Sequence, residues 1–335
     1  MRQGDNLAPT AVIATVDFQA DGIQHGFLRL PYSRDDSAWG SVLIPITVAK
    51  NGNGPTALLT GGNHGDEYEG PIALFDLAQR LALEEISGRI IILPAMNYPA
   101  FRAGTRTSPI DKGNLNRLFP GSPVGTPTQK IADYVTRHLL PMAHVVLDFH
   151  SGGKTLDFLP FAAAHALDDT RQEEECIAAV TAFGAPWSVK MREIDAVGMF
   201  DTTVEALGKV FVTTELGGGG TATAQSARIA KRGTANVLRH AGILSGAVEE
   251  RPTRWLDMPS DDCFTFSEID GMMEPLIDLG DAVRKGQPIG RAWPVDRTGM
   301  APYEYTAKMD GILAARHFPG LVKAGDCIAV LGVTD

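Results

Sequence analysis

The feature that most restricts this chain is a recurring pair: a short apolar run, then a longer segment with helical spacing. PTALLT (55–60), RIIILPAM (89–96), AHVVLDFH (143–150) and KVFVTTEL (209–216) are such runs. They are too short for helices and are apolar at successive positions, as strands buried on both faces must be. Helical spacing follows over 70–83, over 126–140, over 168–183 and over most of 221–241. Thr126 and Pro127 open the second of these and Pro141 stops it, while Asp168 is the expected cap of the third. GFLRLP (26–31) and SVLIPITVA (41–49) add two strands near the start. Strands alternating with helices imply an α/β fold: a mixed, mainly parallel sheet with helices on both faces.

From about Asp257 the helical pattern stops and short strands punctuated by glycine take over. GDAVRKGQPIG (280–290) and PGLVKAGDCIAVLG (319–332) read as two versions of one unit, a Gly-Asp turn, a β-branched pair and a strand. We therefore expect two parts, 1–255 and 256–335, the second a small all-β domain. The boundary runs through EERPTRW (249–255), which is no low-complexity linker, so the small domain should be docked on the large one.

The 335 residues suffice for about two domains, and 44% hydrophobic with 21% charged residues is an ordinary globular composition. A net charge of −10 argues against a nucleic-acid partner, which would require a basic face. Cys176, Cys263 and Cys327 are widely spaced and form no C-x-x-C, so the expectation is free thiols in a reducing compartment. AVIATV near the start is too short for a signal peptide, and no segment approaches the roughly 20 apolar residues of a membrane span. The expected location is the cytoplasm. A homo-oligomer is left open.

Candidate chemistry gathers at the ends of the apolar runs. His64 and Glu67 stand three apart in GGNHGDEYEG, directly after the 55–60 strand. His150 ends the 143–150 strand in DFHSGG, and Glu215 ends the 209–216 strand in TTELGGGG. Ligands of open α/β sheets bind outside the carboxyl ends of the strands, so four reactive groups should share one edge. Each alone is a weak signal; together they suggest a metal centre. Two histidines and one glutamate leave a tetrahedral zinc ion one open position for water, whose pKa the ion lowers to about 7. Glu215 would be the proton shuttle. Asp66 and Glu69 are alternatives to Glu67, though Glu67 has the compact spacing. Cobalt or manganese would also suit the donors. Asp148 shares a strand face with His150 and is expected either to orient it or to sit in a buried ion pair. His25, His138, His144, His165, His240 and His317 lack such company and are read as structural.

Between two of the regular segments lies NYPAFRAGTRTSPIDKGNLNRLFPG (97–121), a loop long enough to suggest function. It carries Arg102, Arg106, Asn114, Asn116 and Arg117. Arginine suits bidentate recognition of a carboxylate or stabilisation of an oxyanion; Arg102 is expected to be merely solvated.

The ordered set HGDE, R-x-x-P-x-D-x-x-N-L-N-R-x-F-P-G, DFHSG and TELGG resembles the succinylglutamate desuccinylase/aspartoacylase family, over roughly residues 40–335. The resemblance implies a metallocarboxypeptidase-like fold and a zinc-dependent amidohydrolase acting on a small N-acyl amino acid. It implies one zinc per chain on His64, Glu67 and His150, with Glu215 as base. It assigns Asn116 and Arg117 to the substrate carboxylate and Arg106 to the scissile carbonyl. Within the family, the N-terminal β-segment and the layout are similar to the deacetylases of ectoine degradation. Those convert Nα-acetyl-L-2,4-diaminobutyrate to acetate and diaminobutyrate. A desuccinylase or a carboxypeptidase with the same centre is the alternative. For a substrate ammonium, Asp111, Glu193, Asp195 and Glu205 are open choices.

The C-terminal repeat resembles half of a biotinyl/lipoyl domain, which makes a carrier or binding protein the rival from another class. A carrier would display lysine at the intervening hairpin, but PVDRTG (294–299) has none, and Lys308 reads as strand-end sequence. The domain is expected to be unmodified, a lid or an oligomer contact, with Tyr303 or Tyr305 as possible contributions to the pocket.

Overall fold

Strands β1 (Ile13–Ala14), β2 (Gly22–Pro31) and β3 (Ser41–Asn51) form an antiparallel ribbon at one margin of the main sheet. The structure, a computed structural model, describes residues 9–191 and 197–334. Inward from the ribbon come β4 (Thr56–Thr60), β5 (Gly88–Leu93), β6 (Val145–His150), β7 (Leu156–Phe158), β8 (Phe161–His165), β9 (Trp187–Met191), β10 (Val210–Glu215) and β11 (Arg254–Asp257). The spatial order from the ribbon is β3-β5-β4-β6-β10-β8-β9-β11. The β5-β4-β6-β10 block is parallel, β8 runs antiparallel to β10, and β8-β9-β11 is a second parallel block.

Side-chain alternation along the central strands explains the helices on both faces. Ala57, Leu59, Ile90, Ile92, Val145, Leu147 and Phe149 belong to one core, while Leu58, Ile91, Leu93 and Val146 belong to another. The first core is closed by α1 (Glu69–Arg80), α4 (Thr170–Phe183) and α6 (Ala224–His240). The second is closed by α3 (Pro127–Tyr134), α5 (Phe200–Ala206) and the ribbon; α2 (Tyr98–Ala103) lies just before α3 in the chain. Leu58, Leu59, Ile90, Ile91 and Ile92 are wholly excluded from water, and each contributes about 1.5–3 kcal/mol by burial.

Several boundaries differ from the sequence expectation for local reasons. Asp169, not Asp168, caps α4, accepting from the backbone N–H groups of Arg171 and Gln172. Thr126 does cap α3 through a reciprocal capping box with Gln129, but the regular α-helix ends at Tyr134 and continues as a wider turn over Val135–Leu139. The 97–121 segment is not all loop: it contains α2, which opens with Pro99 in its first turn and ends on the left-handed Gly104, and a single tight turn at Leu115–Arg117. Strands β8 and β9 and helix α5 were not anticipated, because their apolar runs are brief or interrupted by polar residues.

Beyond β11 lie β12 (Phe264–Phe266), β13 (Gly271–Pro275), β14 (Ala282–Val283), β15 (Pro288–Trp293), β16 (Tyr303–Thr306), β17 (Gly311–His317), β18 (Leu321–Val322) and β19 (Cys327–Thr334). The two repeated motifs become β14-turn-β15 and β18-turn-β19. One sheet holds β16-β15-β13-β18, and the other, through β19 against β11, continues the main sheet. Their inner faces enclose a separate small core that includes Val283, Ile289, Leu313, Ile328 and Leu331. Strand β17 also pairs with β7, and the Phe318 ring lies against Gly219.

Candidate metal centre and active site

Because β4, β6 and β10 are parallel neighbours, their carboxyl ends meet at one edge. In register, Glu215 stands opposite His150, and Thr60 opposite Asp148. The chain leaving β4 turns through Gly62, which has φ of 63°, and reaches His64. At Gly65 a β-carbon would lie 2.0 Å from the Ala100 carbonyl carbon, so only glycine lets the His64 turn sit this close to α2. Glu67 then lies two residues before α1, and the short span between it and His64 lets both face the same space.

Both histidines present Nδ1 to Glu67. His64 Nδ1 is 2.8 Å from Oε1 and His150 Nδ1 is 3.0 Å from Oε2. Their other ring nitrogens are held from outside. His64 Nε2 lies 3.2 Å from Asn114 Oδ1, and His150 Nε2 lies 2.9 Å from Asp148 Oδ2. Asp148 is in turn held by Thr60 Oγ1 at 2.6 Å and Asn63 Nδ2 at 3.2 Å. Asp148 thus orients His150, one of its two expected roles; Asn114, one of the candidates of the 97–121 loop, and Asn63, which sequence reasoning missed, supply a supporting layer. Asn63 sits beside His64 in GGNHGDE, the one local clue to it.

The charges are balanced within this cluster. Burial opposes ionisation of Glu67, but the two imidazoles outweigh it and hold the carboxyl below the usual carboxylate range. Burial likewise opposes a charge on His150, yet Asp148 and Glu67 raise its imidazole well above the ordinary histidine value. His64 is lowered, chiefly by burial. A proton on His150 therefore does the work of a cation. One donor atom from each of His64, Glu67 and His150 lies within 4.8 Å of the others. Two imidazole nitrogens and a carboxylate are a fitting donor set for a divalent ion, which would replace that proton. Asp66 and Glu69 are excluded as alternatives by direction: Asp66 Oδ2 accepts from Lys154 N, and Glu69 Oε1 accepts from Ser226 Oγ.

Glu215 Oε2 is buried with no hydrogen-bond partner among the described residues. Burial, then the charge of Glu67, pushes its carboxyl up to about 8. A cation in the cluster would pull it back toward neutrality, where a proton shuttle works best. Arg106 is half exposed at the rim, with Nη1 3.4 Å from His64 Nδ1 and 3.6 Å from Glu67 Oε1. Asn116 is buried; its Oδ1 accepts from Asn63 Nδ2 at 3.1 Å and from Phe200 N at 3.3 Å. That leaves the Asn116 amide hydrogens as its donors to a ligand. Arg117 Nη1 lies 3.4 Å from Asn116 O and touches Met199 Sδ.

All seven expected site residues line one cavity of about 340 Å³, large enough for a small amino-acid derivative. Arg102 is exposed and outside it. Asp111 and Glu205 do not reach the cavity: Asp111 binds Thr128 and Gly113, and Glu205 pairs with His165 Nδ1 at 2.8 Å. Glu193 and Asp195 lie outside the described residues. Asp201, which the sequence did not single out, does line the cavity, as do Leu156 and Phe158 of β7. Tyr303 and Tyr305 do not: Tyr305 is buried in the small β-domain with its hydroxyl 2.9 Å from Ser267 Oγ, and Tyr303 packs against it. Among the described residues, no helix is long and apolar enough to cross a membrane.

A cation-ready donor cluster with a protonatable carboxyl one strand away, at the carboxyl edge of an α/β sheet, marks the chain as an amidohydrolase. Residues 53–241 match the succinylglutamate desuccinylase/aspartoacylase catalytic domain, and the chain belongs to that family. It is 56% identical over 332 residues to the N-alpha-acetyl-L-2,4-diaminobutyric acid deacetylase of Halomonas elongata, covering 98% of this chain and 97% of that protein. Among solved structures, the product-bound ectoine utilization protein EutE (DoeB) from Ruegeria pomeroyi is 62% identical, with a TM-score of 0.96 over 98% of this chain and 100% of that one. A succinylglutamate desuccinylase/aspartoacylase from Rhodobacter sphaeroides is 42% identical, with a TM-score of 0.93 over 97% of this chain and 100% of that one. The expected family, the enzyme class and the α/β layout with a strand-rich C-terminal region hold.

Proposed function

We propose that the protein is a zinc-dependent deacetylase that converts Nα-acetyl-L-2,4-diaminobutyrate to acetate and L-2,4-diaminobutyrate in ectoine catabolism. The observation that carries the reaction type is the buried, unpartnered Glu215 carboxyl in register with His150 beside the donor cluster. The Halomonas elongata relative carries the choice of substrate.

His64, Glu67 and His150 would hold the zinc, which when bound polarises an acyl carbonyl and acidifies water. Glu215 accepts a proton from the attacking water and returns it to the amine as the C–N bond breaks. Arg106 offers its guanidinium to the negative charge that develops on the carbonyl oxygen. Asn116 and Arg117 grip the α-carboxylate and so fix which amide faces Glu215. Asp148 and Asn114 keep the two imidazoles in the tautomer that directs Nδ1 inward. The free thiols of Cys176, Cys263 and Cys327 suit a cytoplasmic setting.

We assign residues 1–255 to catalysis and 256–335 to a β-domain that buttresses the cavity. Pairing of β17 with β7 supports this, since Leu156 and Phe158 of β7 form cavity wall. The β15–β16 turn carries no lysine, and Lys308 Nζ donates to Phe264 O, which disfavours a carrier role.

The test is a panel of N-acetyl, N-succinyl and peptide substrates on metal-analysed protein, scored for acetate, succinate and free amine. Acetate release with about one zinc per chain is expected. Preferential succinate or amino-acid release would replace the deacetylase reading with the desuccinylase or carboxypeptidase one.

A further inference from the structure

We infer that Phe318, on the small β-domain, is a positioning residue for Glu215: its ring fixes the glycine loop that leaves the end of β10. The inference rests on the reading of Glu215 as proton carrier and deepens it by naming what holds that group in place.

Glu215 is the last residue of β10, and LGGGG (216–220) follows it. Consecutive glycines leave the backbone freer than any other residue type would. Gly217, Gly219 and Gly220 all have positive φ, at 112°, 73° and 65°. Such a segment does not define its own path, so the end of β10 depends on what the loop packs against. On its inner side the loop leans on the cavity wall. Gly217 O accepts from Gly152 N at 2.9 Å and from Phe158 N at 3.2 Å, and Gly219 N donates to Leu156 O at 3.1 Å. Gly152, Leu156 and Phe158 all line the cavity.

Phe318 bears on the same loop from the β-domain. A β-carbon at Gly219 would lie 2.6 Å from the ring's Cζ, so the tip of the ring rests directly on the glycine backbone. The ring is itself held. Phe318 N donates to Thr155 O at 3.0 Å, and Thr155 is another cavity residue. The Arg316 guanidinium lies 5.9 Å from the ring centroid, with Nη2 3.6 Å from Asp157 Oδ2 of β7. Phe318 is nevertheless 43% exposed and stands outside the small domain's core. Its ring therefore contributes little to holding the fold and much to fixing the loop behind the carboxyl. Precision there matters, because displacing a catalytic group by about 1 Å can cost on the order of 100-fold in rate.

The experiment is a double-mutant cycle of Phe318→Ala and Glu215→Gln, on the substrate that the panel above identifies. Phe318→Ala alone should lower kcat about tenfold, with KM within about threefold of wild type and zinc content unchanged. In the Glu215→Gln background the same truncation should cost less than about twofold in single-turnover rate, because the group it positions is already disabled. Phe318→Leu keeps a bulky apolar contact and should stay within about threefold of wild type. Equal slowing in both backgrounds would make Phe318 merely structural and overturn the inference, as would loss of zinc or an unchanged rate in Phe318→Ala. Should Phe318→Ala fail to fold, Phe318→Val in the same two backgrounds decides by the same criteria. A slow Glu215→Gln with additive losses sinks this inference alone; a Glu215→Gln that turns over at near wild-type rate sinks the proton-carrier reading with it.

Discussion

Replacing Glu215 by glutamine should separate proton transfer from metal binding. The side chain keeps its size and loses only its ability to take a proton. Glu215 Oε2 makes no hydrogen bond among the described residues, so no protein partner is stranded and the expected stability change is under about 1 kcal/mol. The donor atoms for the metal come from His64, Glu67 and His150, so zinc content should stay near wild type. Loss of a positioned acid–base group should lower kcat by about 10²–10⁴, or about 3–5 kcal/mol of barrier. KM should move far less, because the missing interaction belongs to the transition state. Glu67→Ala is the contrasting case. Glu67 binds His64 Nδ1, His150 Nδ1 and Ser151 N, so its removal strands a buried imidazolium as well as deleting a ligand. Zinc occupancy and activity should fall together, with a stability loss of about 3 kcal/mol in the metal-free protein. Zinc per chain by elemental analysis and single-turnover rate measure both. If Glu215→Gln loses zinc, or turns over at near wild-type rate, the proton shuttle is another group and the mechanism is wrong.

His64→Ala and His150→Ala should each abolish most zinc binding, measured by metal analysis after dialysis; full retention in both would reject the ligand set. Arg117→Lys keeps charge but loses the fork geometry, so kcat/KM should fall sharply on free N-acetyl acids and little on their carboxyl amides; equal loss on both would make Arg117 structural. Burial pushes the Cys176 and Cys327 thiols up to about 11 and also raises Cys263. Native protein at pH 8 should therefore react slowly with thiol reagents at all three cysteines and rapidly after denaturation. The sign for stability follows: these raised thiols favour the folded state below about pH 9, and that contribution is lost as pH rises through about 11.

Much of the site was legible because it is written locally. The i, i+3 spacing of His64 and Glu67 lets one turn present both, and His150 and Glu215 each close an apolar run whose end is visible from the residues alone. The same apolar runs announced the α/β class, since a strand buried on both faces needs helices over each. Asp148 followed from strand alternation. The sequence also carried the C-terminal repeat, although not the continuity of its second sheet with the main one. What escaped was decided by contacts between distant segments. Asn114 faces His64 only because the 97–121 segment folds over the sheet edge, and Asp201 reaches the cavity only because α5 packs beneath Asn116. Asp111 and Glu205 were equally plausible as acids, and tertiary packing turned them away to Thr128 and His165. Above all, the order β5-β4-β6-β10 sets Glu215 beside His150. Hydrophobic patterning dictates that each of these strands is buried, because burial depends on the residue and its neighbours along the chain. Which strands lie side by side depends on how helices and crossovers pack into one volume, and that is a property of the whole fold.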